Sequence, residues 1–250
     1  MKFSPFMALV ARTLIAFAAL GGSALSLIWL DRQAASVPNP MVPRWDEAAP
    51  LVIVDAGHGG HDGGAVANDI VEKDLALNLA RRLKRELEAT GLRVRMTRDS
   101  DVFLPLDERA ALTARLNAAA FVSVHLNTDG DGSAAEGIET YFADTKPLSA
   151  RQRPVVSRTG EDLAAEVQRM VCASTKAQNR GTKARSYAVV SQAECPAVLV
   201  ECGFITNAEE AARLKRGDYG DKVASGIAQG VALFLAARPA KTELIATATK

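Results

Sequence analysis

From position 51 onward, short apolar runs alternate with longer amphipathic stretches, and this alternation leaves few folds open. Leu51 to Val54 is predicted to be a buried strand, and the leucines that then recur every fourth residue from Leu75 to Leu87 are typical of a helix. The same succession predicts strands at 93–97, 121–125, 186–191 and 197–202, a candidate edge strand at 137–142, and helices at 105–118, 161–173, 207–214 and 222–235. We therefore expect a single α/β domain with a twisted, mostly parallel sheet covered by helices on both faces.

The segment before this domain is predicted to meet a membrane. Residues 13–30 carry no charge over 18 positions, which is long enough to cross a bilayer. Lys2 and Arg12 precede the run, so the positive-inside rule places the chain after residue 32 outside the cytoplasm. The apolar run continues past a small-residue cleavage site at 19–21, which favours an uncleaved anchor over a signal peptide, although both stay open.

These features divide the sequence into four segments. Residues 1–32 are the membrane anchor or signal segment, and the proline-rich residues 33–50 are a linker. Residues 51–237 are expected to form the single folded domain, and residues 238–250 a disordered tail by composition. The 30 Lys and Arg residues nearly balance the 29 Asp and Glu residues, and aromatic residues make up only 5% of the chain. Neither feature suits a nucleic-acid partner, so we expect none.

Polar residues follow the predicted strands where an open α/β sheet collects its functional groups. His58 lies just beyond the first strand, His125 closes the run FVSVH, and Glu72 begins the helix that contains Leu75. Two histidines and one carboxylate are the ligand type of hydrolytic zinc sites, which leave a fourth position open for water. Glu201 ends the apolar run AVLVE, where burial would raise its pKa and suit it to act as a general base toward that water.

Each of these residues also has a plainer interpretation when it is taken alone. A single histidine is more often a hydrogen-bonded structural residue, Glu72 would suit a helix start, and Glu201 could form a salt bridge. The three cysteines show no metal-binding spacing and cannot all pair with one another, which leaves one disulfide or three single thiols: Cys172, Cys195 and Cys202. The combination of His58, Glu72, His125 and Glu201 is what favours a zinc site.

Several ordered blocks extend over residues 51–235 and carry a family resemblance. They are VIVDAGHGGHDGGA with EKDLALNLA, TRDSDVFLPLDERAALTARLNAAAFVSVHLN, EGIETYFA, RGTKARSYAVV and PAVLVECGFITN. In these blocks the chain resembles the third class of zinc-dependent N-acetylmuramoyl-L-alanine amidases, which includes division amidases of the Gram-negative periplasm. It departs from the usual family pattern at Gly63, Leu126 and Cys202. None of these three positions is a predicted ligand.

The resemblance implies a function, a cofactor and a location. Its zinc ligands fall on His58, Glu72 and His125, and its catalytic glutamate falls on Glu201. The implied reaction is hydrolysis of the amide bond between N-acetylmuramic acid and L-alanine in peptidoglycan. We expect a monomer that works in the periplasm or another extracytoplasmic space and is held at the inner membrane by its N-terminal segment. The sequence names no activating partner.

Two rival functions and one regulatory expectation complete the interpretation. Cys202 could act as a nucleophile with His125 as its base, but neighbouring strand residues face opposite ways, so Glu201 and Cys202 cannot share one site. The chain could also be a non-catalytic peptidoglycan-binding or sensor domain, which would have no use for Glu201.

The stretch 143–160 is short and contains two prolines, so we expect no helix there that plugs the site. We read His61 as exposed or substrate-facing rather than as a ligand.

Overall fold

The computed structural model describes residues 48–130, 134–144 and 155–237, and side chains within 155–159 are not part of that description. The predicted anchor, the linker up to residue 47, the tail from 238 and most of the stretch 143–160 therefore lie outside the described residues. Among the described helices, none combines the length and the apolar character needed to cross a membrane.

Eight strands and six helices alternate along the described chain. The strands are β1 (Leu51–Ala56), β2 (Val66–Ala67), β3 (Ile70–Val71), β4 (Arg93–Met96), β5 (Ala120–Asn127), β6 (Ile138–Ala143), β7 (Asn179–Arg185) and β8 (Ala197–Phe204). The helices are α1 (Glu72–Ala89), α2 (Leu106–Arg115), α3 (Val155–Thr175), α4 (Ala188–Ser191), α5 (Ala208–Leu214) and α6 (Gly217–Ala236).

Six strands form one mixed sheet in the order β4-β1-β5-β8-β6-β7. β4, β1, β5 and β8 run parallel to one another, whereas β6 and β7 are parallel to each other but antiparallel to β8. The expected mostly parallel sheet is therefore confirmed. Because β6 and β7 run in reverse, their first residues lie at the same edge of the sheet as the carboxyl ends of β1, β5 and β8.

The alternation of side chains along the strands builds a core on each face. Val52, Val54 and Val198 pack on one face with the long helices α1, α3 and α6. Ile53 and Leu199 belong to the smaller cluster on the other face, which the short helices α2 and α4 cover only in part. Both faces carry helices, and the thinner layer leaves room for a groove at the carboxyl ends of the parallel strands.

One strand prediction was wrong, and local chemistry explains it. The run 186–191 was predicted as a strand but contains helix α4, since a short apolar run does not distinguish a strand from one buried helical turn. The strand lies just before it, at Asn179–Arg185, where exposed polar side chains on an edge strand hide the usual alternation. The predicted strand at 137–142 is present as β6, but this candidate edge strand lies between β8 and β7. The β2–β3 hairpin was not predicted, and α3 begins at Val155 rather than 161.

Candidate metal centre and catalytic glutamate

Three predicted ligands meet at the carboxyl edge of the sheet. One donor atom each from His58, Glu72 and His125 lies within 4.8 Å of the other two. His58 Nε2 is 3.1 Å from Glu72 Oε1, and His125 Nδ1 is 3.0 Å from the same oxygen. A cluster of two imidazole nitrogens and one carboxylate oxygen could hold a metal ion, and this donor set suits zinc.

The fold positions each member of this cluster separately. β1 delivers the chain to the loop that carries His58, and the adjacent parallel strand β5 carries His125. Glu72 is the first residue of α1, directly after the β2–β3 hairpin, and its carboxylate accepts hydrogen bonds from the backbone N–H groups of Ala65 and Leu126. These bonds fix the carboxylate between the two histidines.

Two glycines make the close approach around the cluster feasible. A Cβ atom on Gly57 would lie 2.4 Å from Cε1 of His125, and one on Gly64 would lie 2.6 Å from Oε2 of Glu72. Gly64 also has a φ of 65°, which glycine adopts without the strain that other residues incur. Any side chain at either position would push a donor atom out of the cluster.

Buried arginines hold the backbone that carries His58. His58 itself has a φ of 59°, a left-handed conformation that is unfavourable for a residue with a side chain. Arg109 donates to the carbonyls of Ala56 and His58 and to the buried carboxylate of Asp55. Arg98 donates to the carbonyls of Ala56 and Gly57. This arginine clamp, Arg98 with Arg109, stabilises the strained loop.

The sequence pattern did not single out these arginines. Both lie in the block TRDSDVFLPLDER, but their partners are 41 to 54 residues away in the chain, so only the folded contacts reveal their role.

We expect Arg109→Lys, which keeps the positive charge beside Asp55 but loses the planar fork, to weaken zinc affinity about 10- to 100-fold. Competition with a chromogenic chelator measures this effect. The exposed Arg115→Lys on the same helix is the control, and unchanged affinity in Arg109→Lys would contradict the positioning role.

The three side chains of the cluster strongly shift one another's pKa values. The hydrogen bond to Glu72 raises the pKa of His58 to about 9, against the opposing effect of burial. Burial would raise the pKa of Glu72, but the hydrogen bonds with His125 and His58 hold that pKa far below its usual range. The carboxylate is therefore ionised and attracts protons to its neighbours. A metal cation would take the place of those protons.

Asp62 orients the ring of His58. Its Oδ2 lies 2.9 Å from His58 Nδ1, on the side of the ring away from Glu72. In the tautomer with the proton on Nδ1, the ring donates to Asp62 and presents the lone pair of Nε2 to the cluster. A carboxylate behind a metal-binding histidine commonly fixes the ring in this way.

Glu201 lines the same cavity as the three-residue cluster. The cavity has a volume of about 480 Å³, and His58, Glu72, His125 and Glu201 all contribute to its wall. Glu201 pairs in register with His125 across the parallel strands β5 and β8. Its Oε2 is buried and has no hydrogen-bond partner among the described residues. Burial raises the pKa of Glu201 to about 7, so the carboxyl group can exchange a proton near neutral pH.

Cys202 faces away from this cavity. Its side chain is fully buried in the core formed with α1, α3 and α6, on the opposite face of β8 from Glu201. Burial also raises the pKa of its thiol far above the usual range. All three cysteines lie in the described part of the chain, and none forms a disulfide with another. Adjacent residues of β8 therefore face opposite sides of the sheet, and Cys202 does not reach the cavity that Glu201 lines.

The outer wall of the cavity is largely apolar. Phe103 and Leu106 precede or begin α2, and Tyr187 precedes α4; all three are substantially exposed although they are large apolar or aromatic side chains. His61 is exposed and stacks on Phe103, with ring centroids 4.2 Å apart, and it is not part of the donor cluster. Such a wall suits a substrate with both apolar and polar parts.

Known sequences resemble this chain over most of its folded part. The family model described as N-acetylmuramoyl-L-alanine amidase, Amidase_3, matches residues 52–232. The N-acetylmuramoyl-L-alanine amidase LytC of Bacillus subtilis is 33% identical over 201 residues, which cover 80% of this chain and 37% of LytC. The endolysin of Bacillus phage SPP1 is 40% identical over 189 residues, covering 74% of this chain and 66% of the endolysin.

A solved structure has the same fold. The crystal structure of an N-acetylmuramoyl-L-alanine amidase from Clostridium difficile 630 matches with a TM-score of 0.69 and 32% identity, covering 76% of this chain and 99% of that chain. Against LytC, in contrast, the chain spans little more than a third of the relative's length. The family model covers well over half of this chain. The chain therefore belongs to the N-acetylmuramoyl-L-alanine amidase family, Amidase_3.

Proposed function

We propose that this chain is a zinc-dependent amidase that hydrolyses the bond between the lactyl group of N-acetylmuramic acid and L-alanine in peptidoglycan. His58, Glu72 and His125 would hold the zinc ion, and Glu201 would be the general base. The single observation that supports this most strongly is the position of Glu201: a buried carboxylate oxygen without a partner lines the same cavity as a His–Glu–His cluster.

When bound, zinc would supply Lewis acidity, polarising the amide carbonyl and making a water molecule more acidic. Glu201 Oε2 accepts the proton of the attacking water, since no protein group competes for that oxygen among the described residues. A carbon–oxygen bond forms at the lactyl carbonyl carbon, which becomes tetrahedral, and the carbon–nitrogen bond breaks in a second step. Glu201 then returns the proton to the departing L-alanine nitrogen, so the group ends the cycle in its starting state.

The charge state of Glu201 gives this step a pH dependence. The base must be ionised to act, and its pKa without a cation is raised to about 7 by burial. A zinc ion nearby would favour the ionised form and lower that pKa. The rate should therefore fall at acid pH with an apparent pKa at or below about 7, which a pH profile of kcat measures.

The N-terminal segment completes the proposal. Residues 1–32 would anchor or export the chain, residues 33–50 would form the linker, and residues 51–237 would act on the cell wall as a monomer outside the cytoplasm. This arrangement places the amidase on the same side of the membrane as its substrate. The alternative is a non-catalytic peptidoglycan-binding or sensor domain, but a binding module would gain nothing from an unpaired buried carboxylate, which lowers stability.

The purified protein tests this function on muramoyl-tripeptide in water enriched in oxygen-18. We expect release of the tripeptide with a new L-alanine amino terminus, and one heavy oxygen in the lactyl carboxylate. Chelation should abolish the release and added zinc should restore it, whereas a thiol-blocking reagent should have little effect. Peptide that remains uncleaved by zinc-loaded protein, or heavy oxygen at a sugar or peptide carboxylate instead, would contradict the proposal.

A further inference from the structure

A second charged cluster adjoins the cavity on the next strand of the sheet. Glu139 of β6 lies in register with Glu201 of β8, on the same face. The Glu139 side chain is buried and accepts hydrogen bonds from two cations, Arg180 and Lys183 of the edge strand β7. Asn127 and Tyr141 also donate to it. The row across the sheet therefore runs from His125 through Glu201 and Glu139 to two cations.

This cluster is connected to the cavity wall by direct contacts. Asn127, which donates to Glu139 Oε1 over 2.8 Å, is itself part of the wall. Tyr141 stacks edge-on against the wall residue Tyr187, with ring centroids 5.1 Å apart, and the ammonium group of Lys183 lies over the ring of Tyr141. The cations thus lie just beyond the cavity wall, to which Asn127 and the Tyr141–Tyr187 pair connect them.

The charges of the cluster do not cancel. Hydrogen bonds from Lys183, Tyr141 and Arg180 outweigh burial and lower the pKa of Glu139 to about 2, so it carries one negative charge against two positive ones. Both cations are partly exposed, at 30% for Arg180 and 37% for Lys183. An excess positive charge beside an active-site cavity favours an anionic group on the ligand.

Hydrogen-bond donors also remain available on both cations. Arg180 uses Nε for Glu139 and Nη1 for the carbonyl of Glu136, and its guanidinium lies over the ring of Phe204; its Nη2 donates no hydrogen bond to the described residues. Lys183 has three N–H groups and gives one to Glu139. Because Glu139 anchors both head groups through its Oε2, the remaining donors are held in place before a ligand arrives, which reduces the entropy lost on binding.

We propose that Arg180 and Lys183 form a subsite for a carboxylate of the stem peptide, and this inference rests on the proposed function. Two strand spacings, roughly 10 Å, separate β8 from β7, and an extended peptide covers that distance in about three residues. The subsite would therefore meet an acidic group within the first three residues after the cleaved bond. Free stem peptides carry carboxylates there, and amidation removes the charge.

The test compares two muramoyl-tripeptide substrates that differ only in one group, a free carboxylate or its carboxamide at the second residue. The intact protein should favour the carboxylate by about 10-fold in kcat/KM, as one charge-assisted contact would give. Lys183→Gln and Arg180→Gln should reduce that ratio to within about twofold. Lys183→Arg, which keeps the charge, should retain it. Arg169→Gln removes an exposed charge on α3 and serves as the matched control.

The results of this test distinguish an error in the proposed subsite from an error in the proposed function. A preference that survives in both Gln variants, or an intact protein without any preference, would overturn the subsite while leaving the amidase in place. Failure to cleave either substrate with zinc bound would instead overturn the proposed function. Zinc content and melting temperature of each variant guard against a merely structural effect, because a cation that only neutralises Glu139 would change stability without changing the substrate ratio.

Discussion

Glu201→Gln is expected to lose activity by about 100- to 10,000-fold in kcat while it keeps the fold and the zinc. The amide has nearly the same shape as the carboxyl group but cannot take the proton of the attacking water. Steady-state turnover of muramoyl-tripeptide measures the loss. The exposed Glu194→Gln, seven residues earlier in the chain, is the matched control and should behave like the parent.

The same substitution should stabilise the metal-free protein. Glu201 has a folded-state pKa of about 7 against 4.5 in a solvated chain, so its ionised form is disfavoured by folding. This cost is fully present above about pH 7 and disappears as the pH falls toward 4.5. Metal-free Glu201→Gln should therefore be more stable than the parent by about 1–3 kcal/mol at pH 8, with no gain near pH 4.5. Equal melting curves at pH 8 would contradict a folding cost from burying the ionised Glu201 carboxylate.

His58→Ala and His125→Ala are expected to lose the metal and the activity together. Each removes one of three donor atoms that lie within 4.8 Å of one another. Zinc affinity should fall by more than the roughly 10- to 100-fold typical of changes behind a ligand. Metal analysis after dialysis against a weak chelator measures this directly. His61→Ala, in the same loop but outside the cluster, is the control, and full zinc occupancy in either ligand variant would rule that residue out.

The features predicted from sequence are those encoded within single elements. The buried strands around Val54, Val122 and Val200 are short apolar runs, and the polar residues that end them point to the functional edge of any parallel sheet. Glu72 was predicted from its place at a helix start after a glycine-rich loop. In each case neighbouring residues carry the signal, so the cluster could be anticipated before the fold was known.

The features that escaped prediction depend on contacts between distant segments. Arg98 and Arg109 hold the His58 loop through backbone carbonyls, which leave no trace in the pattern of side chains. Glu139 sits in an ordinary strand sequence, and it joins the site only because β6 runs antiparallel to β8 and starts at the same edge. The edge strand that carries Lys183 was missed because its outward side chains are polar.

The most direct test of the central claim is zinc content and turnover measured on the same preparation of Glu201→Gln. Glu201 is not a donor in the cluster, so saturating zinc should occupy His58, Glu72 and His125 with or without its charge, whereas turnover should depend on both the zinc and Glu201. We predict zinc occupancy equal to that of the parent with turnover at least about 100-fold lower. Turnover within a few-fold of the parent at full occupancy, or zinc lost along with activity, would contradict the division of roles between the donor cluster and the general base.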